Sequence, residues 1–279
     1  MISNRLASLL VLPAALLFAV LLVAPLAFVL RVSLLPPGPG APLEGAWTLA
    51  AYRALVDPYL LEILVRTVRI AGLTTVCTLV LGFPMALALR RSSGTWRLVQ
   101  IGLIVTPLFV SVVVRAYGWV LLLGSQGPLV SIWARLGGGP ATLLGTETAV
   151  VAGLTEGLLP FMVLSLAAVL AQQEPDLEEA SRGLGASAFA TFCRVTLPLA
   201  LPGVAAGSLL VFMVAMGSYA TPALVGGSRQ RLMVTEIYTQ TMTVFDWPLA
   251  AALSMLLLAA ALVVALVATR VLRTAGGAS

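Results

Sequence analysis

Lysine and histidine do not occur in this 279-residue chain, and charge of either sign is scarce. Charged residues make up 10% of the sequence, where a soluble domain carries roughly 25%. All 16 basic residues are arginine. A phosphate-binding P-loop needs its lysine, so an ATPase site of that kind cannot lie on this chain. Histidine-ligated metal sites and histidine-based catalytic triads are excluded in the same way. The two cysteines, Cys77 in an apolar run and Cys193 in a polar one, give neither a disulfide framework nor a thiolate metal site. No cofactor, metal or catalytic residue is therefore expected. The formal charge of +5 does not point to nucleic acid, because the arginines are scattered and form no stripe. They read instead as residues that flank membrane spans and touch lipid headgroups.

What the chain has in abundance is apolar length. Hydrophobic residues make up 60% of it, and the mean hydropathy is +1.05. A span needs about 20 predominantly apolar residues. Six candidates answer to that, at about 6–30, 70–89, 98–123, 149–171, 201–225 and 248–269. The first exceeds the roughly 7–15 apolar residues of a signal-peptide core, so it reads as a retained helix. The expected fold class is all-α, a polytopic membrane protein with six transmembrane helices, both termini on one side. Arginines divide eight against eight between the two sides, so the positive-inside rule returns a tie. Only the three arginines crowded into Arg90–Arg97 lean toward cytoplasmic termini. Several spans hold helix breakers (Pro25, Pro84 beside Gly82, Pro107, Pro160 and Pro222). These fit either ordinary kinking or interrupted helices around a pathway.

The connections differ in kind. "WTLAAYRALVDPYLLEILV" reads as short helices at the interface, and "LGGGPATLLG" as a Gly-rich linker. Trp47, Trp133 and Trp247 stand at span ends, as interfacial anchors do. The exceptional connection is residues 172–198, where "LEEASRGLGASAFATFCRVTLPLALPG" mixes acids, arginines and aromatics between two apolar blocks. It reads as two short helices with a hinge. Pro175 suits a first helical position, and Asp176 and Glu178 suit the positive end of the helix. Leu177, Ala180, Ser181 and Leu184 fall on one face, and Glu178 and Arg182 are spaced for an ion pair. Gly185 should end the helix in the left-handed conformation. Ser187 should cap a second helix with the stripe Ala188, Phe189, Phe192 and Val195, and Leu197-Pro198 should stop it. The two phenyl rings either rest on the membrane and bundle or fill a pocket on a partner.

This segment resembles the signature loop of binding-protein-dependent ABC transporter permeases, E-A-A, three residues, Gly, nine residues, then I-x-L-P. Glu179, Ala180, Ser181, Gly185, Val195, Leu197 and Pro198 stand at those positions, with Ser181 in place of Ala and Val195 in place of Ile. Further stretches, including "DPYLLEILVRTVRIAGLTTVCTLVLGFPMALALRR" and "DWPLAAALSMLLL", are similar to the first permease of spermidine/putrescine-type importers. The resemblance implies a MetI-like ABC importer permease fold in the bacterial inner membrane, with both termini and the 172–198 loop in the cytosol. It implies a cytoplasmic ABC ATPase dimer that receives the loop. It also implies a second permease subunit in a heterodimer and a periplasmic or extracellular solute-binding protein. In that reading Phe189 and Phe192 are knobs, Gly185 the hinge and Glu179 a polar anchor to the ATPase or to the preceding helix.

Cargo is less determined. Glu156 is the one acid well inside a predicted span. An intramembrane carboxylate either marks a functional path or is a paired structural charge. A polyamine would suit it, with Tyr117, Trp119 or Tyr219 offering aromatic faces. Two other classes stay open: an ion-coupled secondary transporter, and an importer for an amino-acid-like, phosphonate or metal-complex solute.

Overall fold

A computed structural model describes residues 4–135, 143–173 and 176–276. The glycines of the expected linker at 137–139 and Pro175 lie outside the described residues. Among those described there is helix and no strand. The chain divides into two compact units, one of Met1–Glu62 with Glu236–Ala260, the other of Ile63–Thr235 with Ala261–Ser279.

In chain order the helices are α1 (Asn4–Ser33), α2 (Ala50–Ala54), α3 (Pro58–Arg91), α4 (Gly94–Phe109), α5 (Val112–Leu123), α6 (Pro128–Arg135) and α7 (Glu147–Leu170). Then come α8 (Asp176–Gly183), α9 (Ala188–Thr191), α10 (Leu197–Met216), α11 (Met233–Thr239) and α12 (Trp247–Gly276). Among the described residues four helices are long and apolar enough to span a membrane: α3, α7, Ala188–Met216 and α12. The bent pair of α4 with Val112–Arg135 is apolar enough only when the two are taken together, as a broken span or a re-entrant loop, and Leu17–Ser33 adds a shorter apolar helix.

Within the first unit, the Ser33 and Tyr52 hydroxyls stand 2.7 Å apart. Asp246 caps α12 by accepting from the Leu249 amide at 3.0 Å. The stretch expected to lie as short interfacial helices is α2 and the start of α3. Glu236 is 3% exposed, more buried than Glu156, and accepts from the Gln240 amide group at 2.9 Å.

Within the second unit α7 is the central element. Of its most apolar window 67% is buried, against 22% for α12. A helix apolar all round is stable only when enclosed by other helices or lipid. Its main neighbour is α10, which approaches closely because Gly203 and Gly207 face it. A Cβ at Gly207 would lie 2.8 Å from the Met162 sulfur. Small residues four apart let two membrane helices meet backbone to backbone.

Two expected spans differ from the structure. The stretch 98–123 is not one helix: α4 and the segment from Val112 bend by 95° at a break. Val110 there takes extended backbone and Ser111, at φ −52 and ψ 134, is also outside the helical region. The stretch 201–225 begins earlier and ends earlier, since α10 stops at Met216 and Pro222–Gly226 is a separate π-turn. Leu197-Pro198 does not stop the second short helix either. The chain runs from Ala188 through a π-turn at Phe192–Thr196 into α10. Proline has no N–H to offer the Arg194 carbonyl. The helix widens there instead, and the Leu197 amide bonds back to the Phe192 carbonyl.

Candidate functional site

The 172–198 segment folds into an elbow whose joint has a defined geometry. Gly185 has φ +86. The Gly185 amide donates to the Arg182 carbonyl at 2.9 Å and the Ala186 amide to the Ser181 carbonyl at 3.2 Å. That pair of bonds is the Schellman closure, which requires a left-handed residue at this position. A Cβ added at Gly185 would meet nothing within 4 Å, so the requirement is conformational and not steric. Ser187 accepts from the Ala190 amide at 3.2 Å and starts α9, as expected. The Ser181 and Thr191 hydroxyls, 3.1 Å apart, tie α8 to α9.

The base of the elbow is clamped. Glu178 does not pair with Arg182. Its Oε1 accepts from Arg90 at 2.6 Å and from Thr196 at 3.0 Å. One carboxylate thus joins the last turn of α3, helix α8 and the π-turn that leads into α10. Arg90 also reaches the Gln173 side chain and carbonyl, each at 3.5 Å. Burial pushes the Glu178 carboxyl up, but hydrogen bonds from Arg90 and Thr196 and the charges of Arg90 and Arg91 outweigh it. The group is held below the ordinary carboxylate value. Glu179, the acid of the signature, is exposed and shares a small polar recess with Arg91, Glu178 and Arg182. The acid that ties the elbow to α3 is Glu178, next to Glu179 in sequence.

The two phenyl rings part company. Phe189 is 77% exposed. Phe192 turns inward and meets Phe83 of α3 edge to face, with centroids 5.3 Å apart. Leu184, at 90%, is the most exposed large apolar side chain of the elbow, and Leu177 is also exposed. The apolar face expected on α8 is real and points outward. Ala180 is exposed with it, Ser181 and Val195 are half-buried, and Leu197 and Pro198 enter α10.

The second constellation lies where α4 breaks. The Arg115 guanidinium donates to the Pro107 carbonyl at 2.8 Å, a group left without an amide partner when the helix ends. Its Nε lies 3.3 Å from Glu156 Oε2. That contact is ionic, since Oε2 is buried without a hydrogen bond. Gly157 makes room, as a Cβ there would stand 2.7 Å from the guanidinium. Glu156 is therefore a paired charge within this chain, one of the two readings left open by the sequence. Of the aromatics expected beside it, Trp119 lines a groove with Glu156 between α3 and α7, whereas Tyr117 and Tyr219 do not. Nothing in the spacing of Arg115 and Glu156 revealed their pairing. An arginine inside a predicted span was the available signal.

Comparison with known proteins decides what kind of protein carries these features. Residues 73–274 match the family described as "Binding-protein-dependent transport system inner membrane component". The chain belongs to that family. This permease is 36% identical over 213 residues to the spermidine/putrescine transport system permease protein PotB of Escherichia coli (strain K12), covering 76% of this chain and 78% of that one. It is 38% identical over 208 residues to the molybdenum transport system permease protein ModB of Mycobacterium bovis (strain ATCC BAA-935 / AF2122/97), covering 73% and 76%. Among solved structures, a bacterial ABC transporter for import of the acidic polysaccharide alginate superposes with TM-score 0.75 at 17% identity, covering 97% and 96%. The MetNI methionine ABC transporter does so with TM-score 0.61 at 18% identity, covering 79% and 99%. The permease is thus a multi-pass membrane protein of the ABC importer class with the MetI-like fold.

Proposed function

We propose that this permease supplies half of a substrate path through the bacterial inner membrane, in six spans of one domain with both termini in the cytosol. Its elbow at 172–198 docks on a cytoplasmic ABC ATPase dimer, where nucleotide is hydrolysed. A second, different permease chain and a solute-binding protein complete the importer. The observation that carries this reading is the contrast within the elbow. Leu184 and Phe189 project into solvent while Glu178, Thr191, Thr196 and Phe192 hold the base rigid. Exposed apolar anchors on a preorganised base are what a partner pocket binds at least entropic cost. The absence of lysine agrees with a motor housed elsewhere.

For cargo we favour a polyamine. The similarity to PotB supports it, and the indole of Trp119 offers its face to a cation. Similarity alone does not choose, because the molybdenum relative is as close in identity. The loop reports the motor and not the cargo.

Two measurements test the reading. A Phe189→Cys variant should cross-link to the co-purified ATPase subunit and resist membrane-impermeant thiol reagents added outside the cell. Labelling from outside would overturn it. In proteoliposomes holding the assembled importer, binding protein loaded with spermidine or putrescine should stimulate ATPase activity and uptake. Stimulation by molybdate alone would overturn the cargo assignment.

A further inference from the structure

Arg115 does more than neutralise Glu156. It stands in the first turn of α5, on the segment that leaves the break at 95° to α4. From there its Nη1 reaches back to the Pro107 carbonyl on the near side of the break, and its Nε faces Glu156 on α7. One planar fork thus holds α4, α5 and α7 in a fixed relation, which the single ammonium of a lysine could not do. Helix α4 has 16 residues, about 24 Å of rise, against a hydrocarbon core of about 30 Å. With its start in the cytosol, the break lies in the outer part of the membrane. Beyond the break Ala116 and Leu123 of α5 cluster with Ala149 at the start of α7 and Val225 of the π-turn.

The fork is firm at one end only. Its contact with the carbonyl is a hydrogen bond of 2.8 Å, whereas Glu156 Oε2, at 3.3 Å, is buried without a hydrogen bond. A cavity of about 290 Å³ adjoins the guanidinium, with Gly153 and Gly157 of α7 on one wall and Ser218 and Thr221 on another. These small side chains leave space into which Arg115 can turn.

We propose that α5 is an outer gate and Arg115 its latch, a positioning residue that keeps the crosswise helix over the path while the motor is at rest. The inference rests on the topology proposed above and on no particular cargo. When the elbow drives α10 and α7, Glu156 and Gly157 move against the guanidinium. The ionic contact yields first, and Arg115 swings into the cavity. The freed Pro107 carbonyl then lines that cavity, where an unpaired backbone group is tolerated. Val110 and Ser111, already non-helical, absorb the turn of α5 as hinge residues do.

Thr221 is 5% exposed and lines the cavity behind α5, so Thr221→Cys reads the gate in an assembled importer that also carries Cys77→Ser and Cys193→Ser. A membrane-impermeant methanethiosulfonate added outside should label it slowly at rest. The parent should label about tenfold faster only when ATP and loaded binding protein drive turnover. Arg115→Gln should show the fast rate at rest, because a charge-assisted hydrogen bond is lost. Arg115→Lys keeps the charge and loses the fork, so it should assemble like the parent and still label fast. The exchange of Arg115→Glu with Glu156→Arg should also label fast, since a carboxylate cannot donate to the Pro107 carbonyl. ATPase stimulation on the same samples shows that the complex is intact, and Arg115→Lys decides the matter if Arg115→Gln fails to assemble. A slow resting rate in Arg115→Lys or in the exchanged pair would reduce Arg115 to a structural charge and overturn the latch. Equal rates in the parent at rest and in turnover would overturn it too, with the topology left standing. Labelling from the cytosolic side alone in every variant would sink the topology itself, and the outer gate with it.

Discussion

Replacing Glu178 by Gln should loosen the elbow without unfolding the protein. The carboxylate is held by a guanidinium at 2.6 Å and a hydroxyl at 3.0 Å on the same oxygen. The Arg90 and Glu178 side chains are 15% and 19% exposed, so water screens the pair only in part. A hydrogen bond to a charged group contributes about 1.5–3 kcal/mol. With that partial exposure the Arg90–Glu178 coupling should be about 1–2 kcal/mol. A double-mutant cycle with Arg90→Gln and Glu178→Gln in the detergent-solubilised importer reads it directly from thermal unfolding. The same variants in proteoliposomes should hydrolyse ATP while moving less cargo per ATP, because α8 would no longer be fixed to α3 and α10. Additivity within about 0.3–0.5 kcal/mol, with full transport per ATP, would refute the clamp.

Phe189→Ala should weaken ATPase association several-fold with little change in unfolding temperature, whereas Phe192→Ala should lower that temperature by removing its contact with Phe83. Pull-down and thermal scans separate the two, and equal effects on both readouts would contradict the inward and outward placement. Gly185→Ala should cost about 1 kcal/mol of left-handed backbone strain and reduce transport rather than abolish it, with Gly185→Asn milder, as measured by uptake rate. Stability against pH should stay flat from about 8 to 6. Glu178 has a lowered folded value, so its contribution is complete above the ordinary carboxylate range and is lost as pH falls through that lowered value. Acid unfolding should therefore start at higher pH in Arg90→Gln than in the parent.

Much of the elbow was legible because its signals are local. Gly185 closes a helix and Ser187 opens one by interactions within a few residues, and both do so in the structure. The partner of Glu178 was not legible. Local spacing favoured Arg182, worth a few tenths of a kcal/mol in a solvated helix, and Arg90, 88 residues away in sequence, wins through a shorter and drier contact. The division of labour between Phe189 and Phe192 escaped for the same reason, since the two share one helical stripe and only the long-range neighbour Phe83 distinguishes them. Hydropathy found the apolar stretches but not the break in α4. A composition window averages over Val110 and Ser111, where two non-helical residues redirect the chain. The proline that drew notice at 107 matters through its carbonyl, which Arg115 takes up.

The contacts in the second unit form one mechanical series from the elbow to the groove. Glu178 fixes α8 to the π-turn at Phe192–Thr196, and that turn is continuous with α10. Helix α10 meets α7 across Gly203 and Gly207, too closely for either helix to slide without displacing Met162 or Val169. Helix α7 in turn carries Glu156 and Gly157, against which the Arg115 guanidinium rests. A rotation imposed on α8 and α9 therefore meets one soft element, the π-turn, whose bonds are fewer and longer-reaching than those of an α-turn. If that turn tightened to α geometry, the register of the elbow against α10 would change by one residue, about 100° around the axis. A close-packed interface tolerates discrete rearrangements better than gradual deformation. Motion at the elbow would then either be absorbed at Phe192–Thr196 or pass whole into α10 and α7, and reach the Arg115–Glu156 pair as a step.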